Sequence, residues 1–259
     1  MDFLKKFREC KTPPGSVSIA WLGQAGFLLK NSAGKVLALD VYLSDLVERL
    51  DGNKRIMPAL FAAEEMTPDL ILVSHEHADH LDLDTLPTWL SKGVPMMTND
   101  SSLELCEQAG MKTDSIRVMA VGDVQEAEGF TVEAVFSRHG DWSPHALGFL
   151  IETDGVTVYF TGDTSFETQR LSALAERNIQ VMIPPINGEY GNMNERDAAM
   201  LASLVKPKVT IPCHFWLFAR HEGSPYQFEM AMKTYAPDSN SYTMALGEII
   251  QVDSEGIIH

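Results

Sequence analysis

Cysteine is scarce in this chain: Cys10, Cys106 and Cys213 are the only three in 259 residues, and no C-x-x-C pair occurs. A disulfide framework is thereby excluded, and a reducing, cytoplasmic setting is the expectation. Long apolar runs are missing too. No window approaches the roughly 18 consecutive apolar residues of a membrane helix, and no basic amphipathic stretch offers itself to a lipid surface, so no membrane partner is expected. The first ten residues carry charge throughout and lack the apolar core of a signal peptide, so they read as mature sequence. Basic charge is in deficit: 20 Lys and Arg stand against 36 Asp and Glu, a formal net charge of -16, which disfavours nucleic acid as a partner and favours bound cations. Linkers rich in Pro, Gly or Ser, charge runs and low-complexity segments are all absent. Residues 1–259 therefore read as a single domain. What is present, 45% hydrophobic and 22% charged residues, is enough for a globular core.

The opening is a meander. Val17–Leu22, Ala25–Lys30 and Val36–Asp40 read as strands, with Asn31-Ser-Ala-Gly34 supplying the turn between the last two. Asp69–Val73 is a further strand. Helices are expected over Asp82–Leu90 and Ser101–Ala109, with strands at Val94–Met97 and Ile116–Met119. In the second half, Thr131–Phe136, Gln180–Pro184 and Lys208–Pro212 read as strands and Ser165–Arg177 and Asn194–Val205 as helices, the last with Asn194 as N-cap and acidic residues in its first turn. The hairpin running from Gly26 to Asp40 is echoed from Gly148 to Asp163. Each copy ends its second strand in aspartate, which points to two similar halves. Two sheets with helices outside fit this order.

Three of the eight histidines fall within six residues, at His75, His77 and His80, with Asp79 among them. Imidazole nitrogen and carboxylate oxygen are ligands for zinc, manganese and iron, and a loop capping a strand can aim alternate residues at one point. His75 and His77 would face one way. Asp79 and His80, displaced by the next turn of the loop, would face a neighbouring position, so the pattern specifies a cradle for two ions.

The segment Ser74-His75-Glu76-His77-Ala78-Asp79-His80 resembles the signature of the metallo-β-lactamase fold hydrolases. That resemblance implies an α/β fold, a four-layer αββα sandwich of two similar halves, with a dinuclear site at one edge of the sheets. It also implies a histidine, an aspartate and a second histidine downstream as ligands. His139 in Phe136-Ser-Arg-His, Asp163 in Thr161-Gly-Asp and His214 in Ile211-Pro-Cys-His supply them in order, each after an expected strand. The family pattern gives one metal to His75, His77 and His139 and the other to Asp79, His80 and His214, with Asp163 bridging. His145 is the alternative to His139, which is preferred because it directly follows a strand and precedes a glycine. The implied cofactors are two divalent ions, Mn²⁺ or Zn²⁺, with Fe²⁺ accepted by the same donors. The implied chemistry is hydrolysis by a metal-bound hydroxide, with Asp79 as the catalytic carboxylate that orients it and returns a proton to the leaving group. Asp40 resembles an early family aspartate that supports the histidine loop by hydrogen bonds, and a turn-forming role is its alternative. Cys213, adjacent to a ligand on a strand, points the other way and reads as core.

Within that fold, Trp21-Leu-Gly-Gln-Ala-Gly26, Asn187-Gly-Glu-Tyr190-Gly-Asn-Met-Asn194 and Ile211-Pro-Cys-His214-Phe-Trp216 resemble the L-ascorbate-6-phosphate lactonase group. The resemblance implies a small-molecule substrate, a sugar-acid lactone with or without phosphate, and it favours manganese. Arg138, Arg220 and His221 are then candidate cations for a phosphate, and Asn187 and His145 are candidate substrate contacts. Trp-Leu-Gly is shared with the N-acyl-phosphatidylethanolamine phospholipase D branch, so a phosphodiesterase is the alternative enzyme. A metal- or ligand-binding module without turnover is the alternative outside catalysis. Association into a homo-oligomer is left open by the sequence.

Overall fold

Val, Ile, Leu and Phe fill both alternating positions of the strand-forming stretches, the pattern of strands covered on two faces. The computed structural model, which describes residues 3–259, shows that covering directly. Every residue of β1 (Ser16–Gly23) and β2 (Gly26–Lys30) is buried. They are followed by β3 (Val36–Leu39), β4 (Leu70–Leu72), β5 (Met96–Thr98) and β6 (Ile116–Val118). The second group is β7 (Val124–Ala127), β8 (Phe130–Phe136), β9 (Leu147–Thr153), β10 (Val156–Phe160), β11 (Val181–Ile183), β12 (Val209–Thr210) and β13 (Asn240–Ser241), after which β14 (Ile249–Asp253) closes the chain. One seven-stranded sheet has the order β14-β1-β2-β3-β4-β5-β6 and the other β13-β12-β11-β10-β9-β8-β7.

The repeat read from the sequence is a structural one. Phe27 pairs with Leu39 across the β2–β3 hairpin as Phe149 pairs with Phe160 across β9–β10, and the second strand of each hairpin runs on to an aspartate, Asp40 or Asp163. Each of those strands then takes a parallel neighbour, β4 beside β3 and β11 beside β10. The halves are not contiguous, because β14 pairs antiparallel with β1 and completes the first sheet from the far end of the chain.

Alternation decides what each face covers. Ile19, Trp21, Phe27, Leu29, Leu37, Leu39, Leu70 and Leu72 share a core with Val132, Ala134, Phe149, Ile151, Val158 and Ile183 of the opposing sheet. Their neighbours Ala20, Leu22, Leu28, Ala38 and Ile71 pack outward with α1 (Phe3–Glu9) and the helices that follow α2 (Leu46–Asp51), namely α3 (Leu86–Leu90) and α4 (Asp100–Gln108). On the other side lie the short α5 (Thr168–Leu171), α6 (Glu195–Val205) and α7 (Pro225–Tyr235). The result is an αββα sandwich. Among the described residues no helix is long and apolar enough to cross a membrane.

Two helices are shorter than their sequence patterns imply. Residues 82–85 are held in turns because the buried Asp82 carboxylate accepts from the Thr85 hydroxyl (2.7 Å), the Ser44 hydroxyl (2.7 Å) and the Leu43 amide (2.9 Å), a local network that outcompetes helix. The stretch from Ser165 forms helix only from Thr168, since the Ser165 amide donates to the Arg138 carbonyl (2.8 Å) across the site. By contrast α6 begins where its cap lies, Asn194 Oδ1 accepting from the Asp197 amide at 2.9 Å.

Candidate metal centre

The ends of β1, β3, β4, β8, β10 and β12 open onto one edge of the sandwich, and the residues just past them converge there. The convergence needs unusual backbone. Gln24 (φ 52°), Asp40 (φ 43°) and His214 (φ 63°) all occupy the left-handed region, where non-glycine residues are uncommon and where strain gathers at functional sites. Gly162, just before Asp163, has no alternative: a Cβ there would stand 2.5 Å from the Leu147 carbonyl oxygen.

The protons of the histidine loop can be assigned from their partners. The Ser74 hydroxyl donates to Asp40 Oδ2 (2.5 Å), so it accepts from His75 Nδ1 (2.9 Å), and His75 Nε2 is a bare lone pair. His77 Nε2 donates to the Trp142 carbonyl (3.2 Å), which leaves His77 Nδ1 bare as well. These two lone pairs face each other at 3.0 Å, with His139 Nε2 only 3.2 Å from the second. Facing lone pairs repel unless a positive charge sits between them. The three rings thus form a nitrogen trio fit for a cation. The Glu76 side chain is turned away from it, accepting from Ser143 and Asn99.

A second group lies alongside. His80 Nδ1 donates to Asp40 Oδ2 (2.6 Å), which aims His80 Nε2 at His214 Nε2 (3.3 Å), Asp163 Oδ1 (3.5 Å) and Asp79 Oδ2 (3.7 Å). Asp163 stands between the two groups, with Oδ2 3.1 Å from His214 Nε2 and 3.7 Å from His139 Nε2. Its Oδ2 also accepts from Asn192 Nδ2 at 2.8 Å, a contact the sequence did not announce.

Electrostatics divides the centre in the same way. Burial pulls the His75 imidazole well below its ordinary pKa and His139 down to about 4, with the neighbouring imidazoles adding to the effect at both. Burial would also lower His80 and His214, but Asp163 and Asp79 override it, raising His80 well above its ordinary value and His214 to about 9. Burial alone would push the Asp79 and Asp163 carboxyls up. The imidazoles of His80 and His214 hold both well below the usual carboxylate range. One half is a set of imidazole nitrogens and the other a set of carboxylates that demands positive charge, which a divalent ion satisfies better than protons do.

A beta-lactamase superfamily domain model matches residues 18–214, which span this whole constellation. A "UPF0173 metal-dependent hydrolase" from Archaeoglobus fulgidus is 32% identical over 250 residues, covering 90% of this chain and 97% of its own. The chain belongs to the metallo-β-lactamase superfamily. A second UPF0173 metal-dependent hydrolase, from Anaeromyxobacter dehalogenans, is 31% identical over 242 residues, with 86% of this chain and 83% of its own covered. The fold is matched at a TM-score of 0.72 by Igni18, a metallo hydrolase from Ignicoccus hospitalis, at 22% identity over 91% of this chain and 98% of that one. The chain is thus a metal-dependent hydrolase by family.

Around the centre of this metallo-β-lactamase superfamily member, the other expected residues fall on both sides of the line. Arg220 and His221 line a cavity of about 300 Å³ above the clustered side chains. Arg138 does not: its side chain is 57% exposed and pairs with Glu167 at 2.6 Å. Asn187 is buried away from the cavity, its amide against the Glu189 carbonyl. His145 is 55% exposed and bonded to Asp100 at 2.5 Å, and it belongs to neither nitrogen group. Burial and then His214 lower the His221 imidazole to about 4, which disfavours a cationic role for it at a phosphate. Cys213 is buried in the core. Substituting His139 with alanine should remove about one equivalent of bound metal by mass spectrometry, while His145→Ala leaves the content unchanged; the reverse pattern would transfer the ligand role to His145.

Proposed function

We propose that this hydrolase cleaves a small carboxylic ester, with a sugar-acid lactone as the leading case, using two divalent cations, Mn²⁺ or Zn²⁺. His75, His77 and His139 would hold one ion, Asp79, His80 and His214 the other, and Asp163 both. When bound, the ions supply Lewis acidity and ease the ionisation of water. The observation that carries the reading is Asp79. Its side chain keeps 16% exposure while those of His80, His214 and Asp163 keep 0, 3 and 5%, so of the two clustered carboxylates that line the cavity, Asp79 and Asp163, it is the more open.

The residues of the chain suit ester hydrolysis. Gln24 Nε2 donates to Asp79 Oδ2 at 2.7 Å and leaves the second oxygen free to take the proton of an attacking water. As the water oxygen bonds to the carbonyl carbon and the C–O bond breaks, the same carboxyl returns that proton to the leaving oxygen, giving acid and alcohol. Val47, Leu50, Trp142, Tyr190 and Phe218 wall the cavity with apolar and aromatic surface, and Arg220, which forms no ion pair among the described residues, is the single guanidinium at its mouth. Such walls favour attack at a neutral carbonyl centre over attack at the anionic centre of a diester.

The deciding experiment measures initial rates of the Mn²⁺- and Zn²⁺-loaded protein on L-ascorbate 6-phosphate, an unphosphorylated sugar lactone and bis-p-nitrophenyl phosphate, before and after chelation. Lactone turnover that vanishes with chelator and returns with metal is expected. Turnover of the diester alone would move the chain to the phosphodiesterase reading, and silence on all three at full metal occupancy would favour a binding module.

A further inference from the structure

Gln24 is fully buried at the turn between β1 and β2, yet its amide nitrogen reaches three members of the site. Nε2 lies 2.7 Å from Asp79 Oδ2, 2.8 Å from His221 Nδ1 and 3.1 Å from His214 Nε2. An ionised carboxylate only accepts, so the amide end that faces Asp79 is the NH₂ group. It has two protons. One goes to Asp79, and the other goes to His221 Nδ1, the nearer of the two remaining contacts. The arrangement is held against resistance: Gln24 sits at a positive φ and its Oε1 is buried with no hydrogen-bond partner.

A ring nitrogen that accepts from an amide cannot carry a proton. The His221 imidazole is therefore the neutral tautomer with its proton on Nε2. That nitrogen forms no hydrogen bond among the described residues, and the ring lines the cavity. The ring is also fixed in orientation. It stacks on His214 (centroids 4.8 Å, 22°) and meets Phe218 edge-on (5.2 Å, 88°), while its backbone amide donates to the Phe218 carbonyl and its carbonyl accepts from the Trp216 amide, both at 3.0 Å.

We propose that Gln24 sets the tautomer of His221, so that His221 presents an Nε2–H donor to the substrate oxygen on which negative charge develops as water adds to the carbonyl. His221 is then a catalytic residue that gives a hydrogen bond and transfers no proton, and Gln24 is a positioning residue that acts through it. The proposal rests on the hydrolase reading above. Its logic is that of a preorganised donor aimed at the developing oxyanion.

Two measurements test it. In the Zn²⁺-loaded protein labelled with ¹⁵N-histidine, His221 should show a protonated ε2 and a bare δ1 nitrogen, and Gln24→Leu should convert that signature to a mixture of tautomers. In kinetics, His221→Phe keeps the stack on His214 and should lower kcat about 10²-fold with KM changed less than about threefold and metal content unchanged. His221→Gln, which retains an N–H donor, should recover about tenfold of that loss. Gln24→Leu should cost less in the His221→Phe background than in the wild type. A proton on Nδ1 of the wild-type ring, or His221→Phe turning over at the wild-type rate, would overturn the proposal whether or not Gln24→Leu folds. A wild type that hydrolyses nothing refutes the hydrolase reading and the donor role together, while a bare Nδ1 in that protein still upholds the Gln24–His221 pairing.

Discussion

Asp79→Asn is expected to lower kcat by about 10³-fold while the protein stays folded, because a general base in this position contributes roughly 10²–10⁴-fold and an amide cannot take a proton. The substitution preserves shape, and the Asn oxygen still accepts from Gln24, whose Nε2 stands 2.7 Å from the present carboxylate. What disappears is a negative charge 3.5 Å from His214 Nε2 and 3.7 Å from His80 Nε2. Asp163 remains beside His80 Nε2, so the second ion position keeps one carboxylate, and Asp40 still orients the His80 ring from its Nδ1 side. Metal content should therefore fall much less than turnover does. Rates at saturating substrate, normalised to metal measured in the same sample, separate the two effects. A variant at full occupancy with a kcat within tenfold of the wild type would remove Asp79 from the chemistry and shift attention to Asp163.

The sequence made much of this centre legible because its residues sit just beyond strands, where a run of β-branched and aromatic residues stops and a histidine or aspartate follows. The positions of His139, Asp163 and His214 are of that kind, and so is Asp40. Gln24 is different. Nothing in Trp21-Leu-Gly-Gln marks the glutamine as more than a turn residue, and only the packing of the β1 end against the histidine loop brings it to Asp79 and His221. Arg138 misled for the opposite reason. It is next to His139 in the chain, but neighbours in extended backbone diverge, and its guanidinium goes to Glu167. The C-terminal strand was equally hidden, since Ile249–Asp253 alternates like any exposed strand and its partner Ser16–Ala20 lies at the other end of the chain. Periodicity reports which face is covered; it does not report by what.

Asp40→Ala is the substitution with the largest expected effect on stability, about 3–5 kcal/mol, a large part of the 5–15 kcal/mol that separates most folded domains from their unfolded chains. The carboxylate is fully buried and accepts three times: from the Ser74 amide at 2.7 Å, the Ser74 hydroxyl at 2.5 Å and His80 Nδ1 at 2.6 Å. Alanine leaves all three donors without this acceptor in a buried site, and it also inherits a φ of 43° that disfavours a Cβ without a polar side chain to offset the strain. Asp40→Asn isolates the electrostatic part. One of its ends is an NH₂ group that must face a donor, either the Ser74 amide or the pair formed by the Ser74 hydroxyl and His80, so it should fall between wild type and alanine. The same contacts turn His80 Nε2 toward Asp163 and His214, so losing them frees the ring, and affinity for the second ion should drop about 10–100-fold. Urea unfolding of the chelated and loaded proteins reads the two consequences separately. A loss below about 1 kcal/mol in the chelated form would mean that the histidine loop is held by its own turns, namely the His80 and Leu81 amides bonded to the His77 carbonyl, and that Asp40 merely terminates a strand.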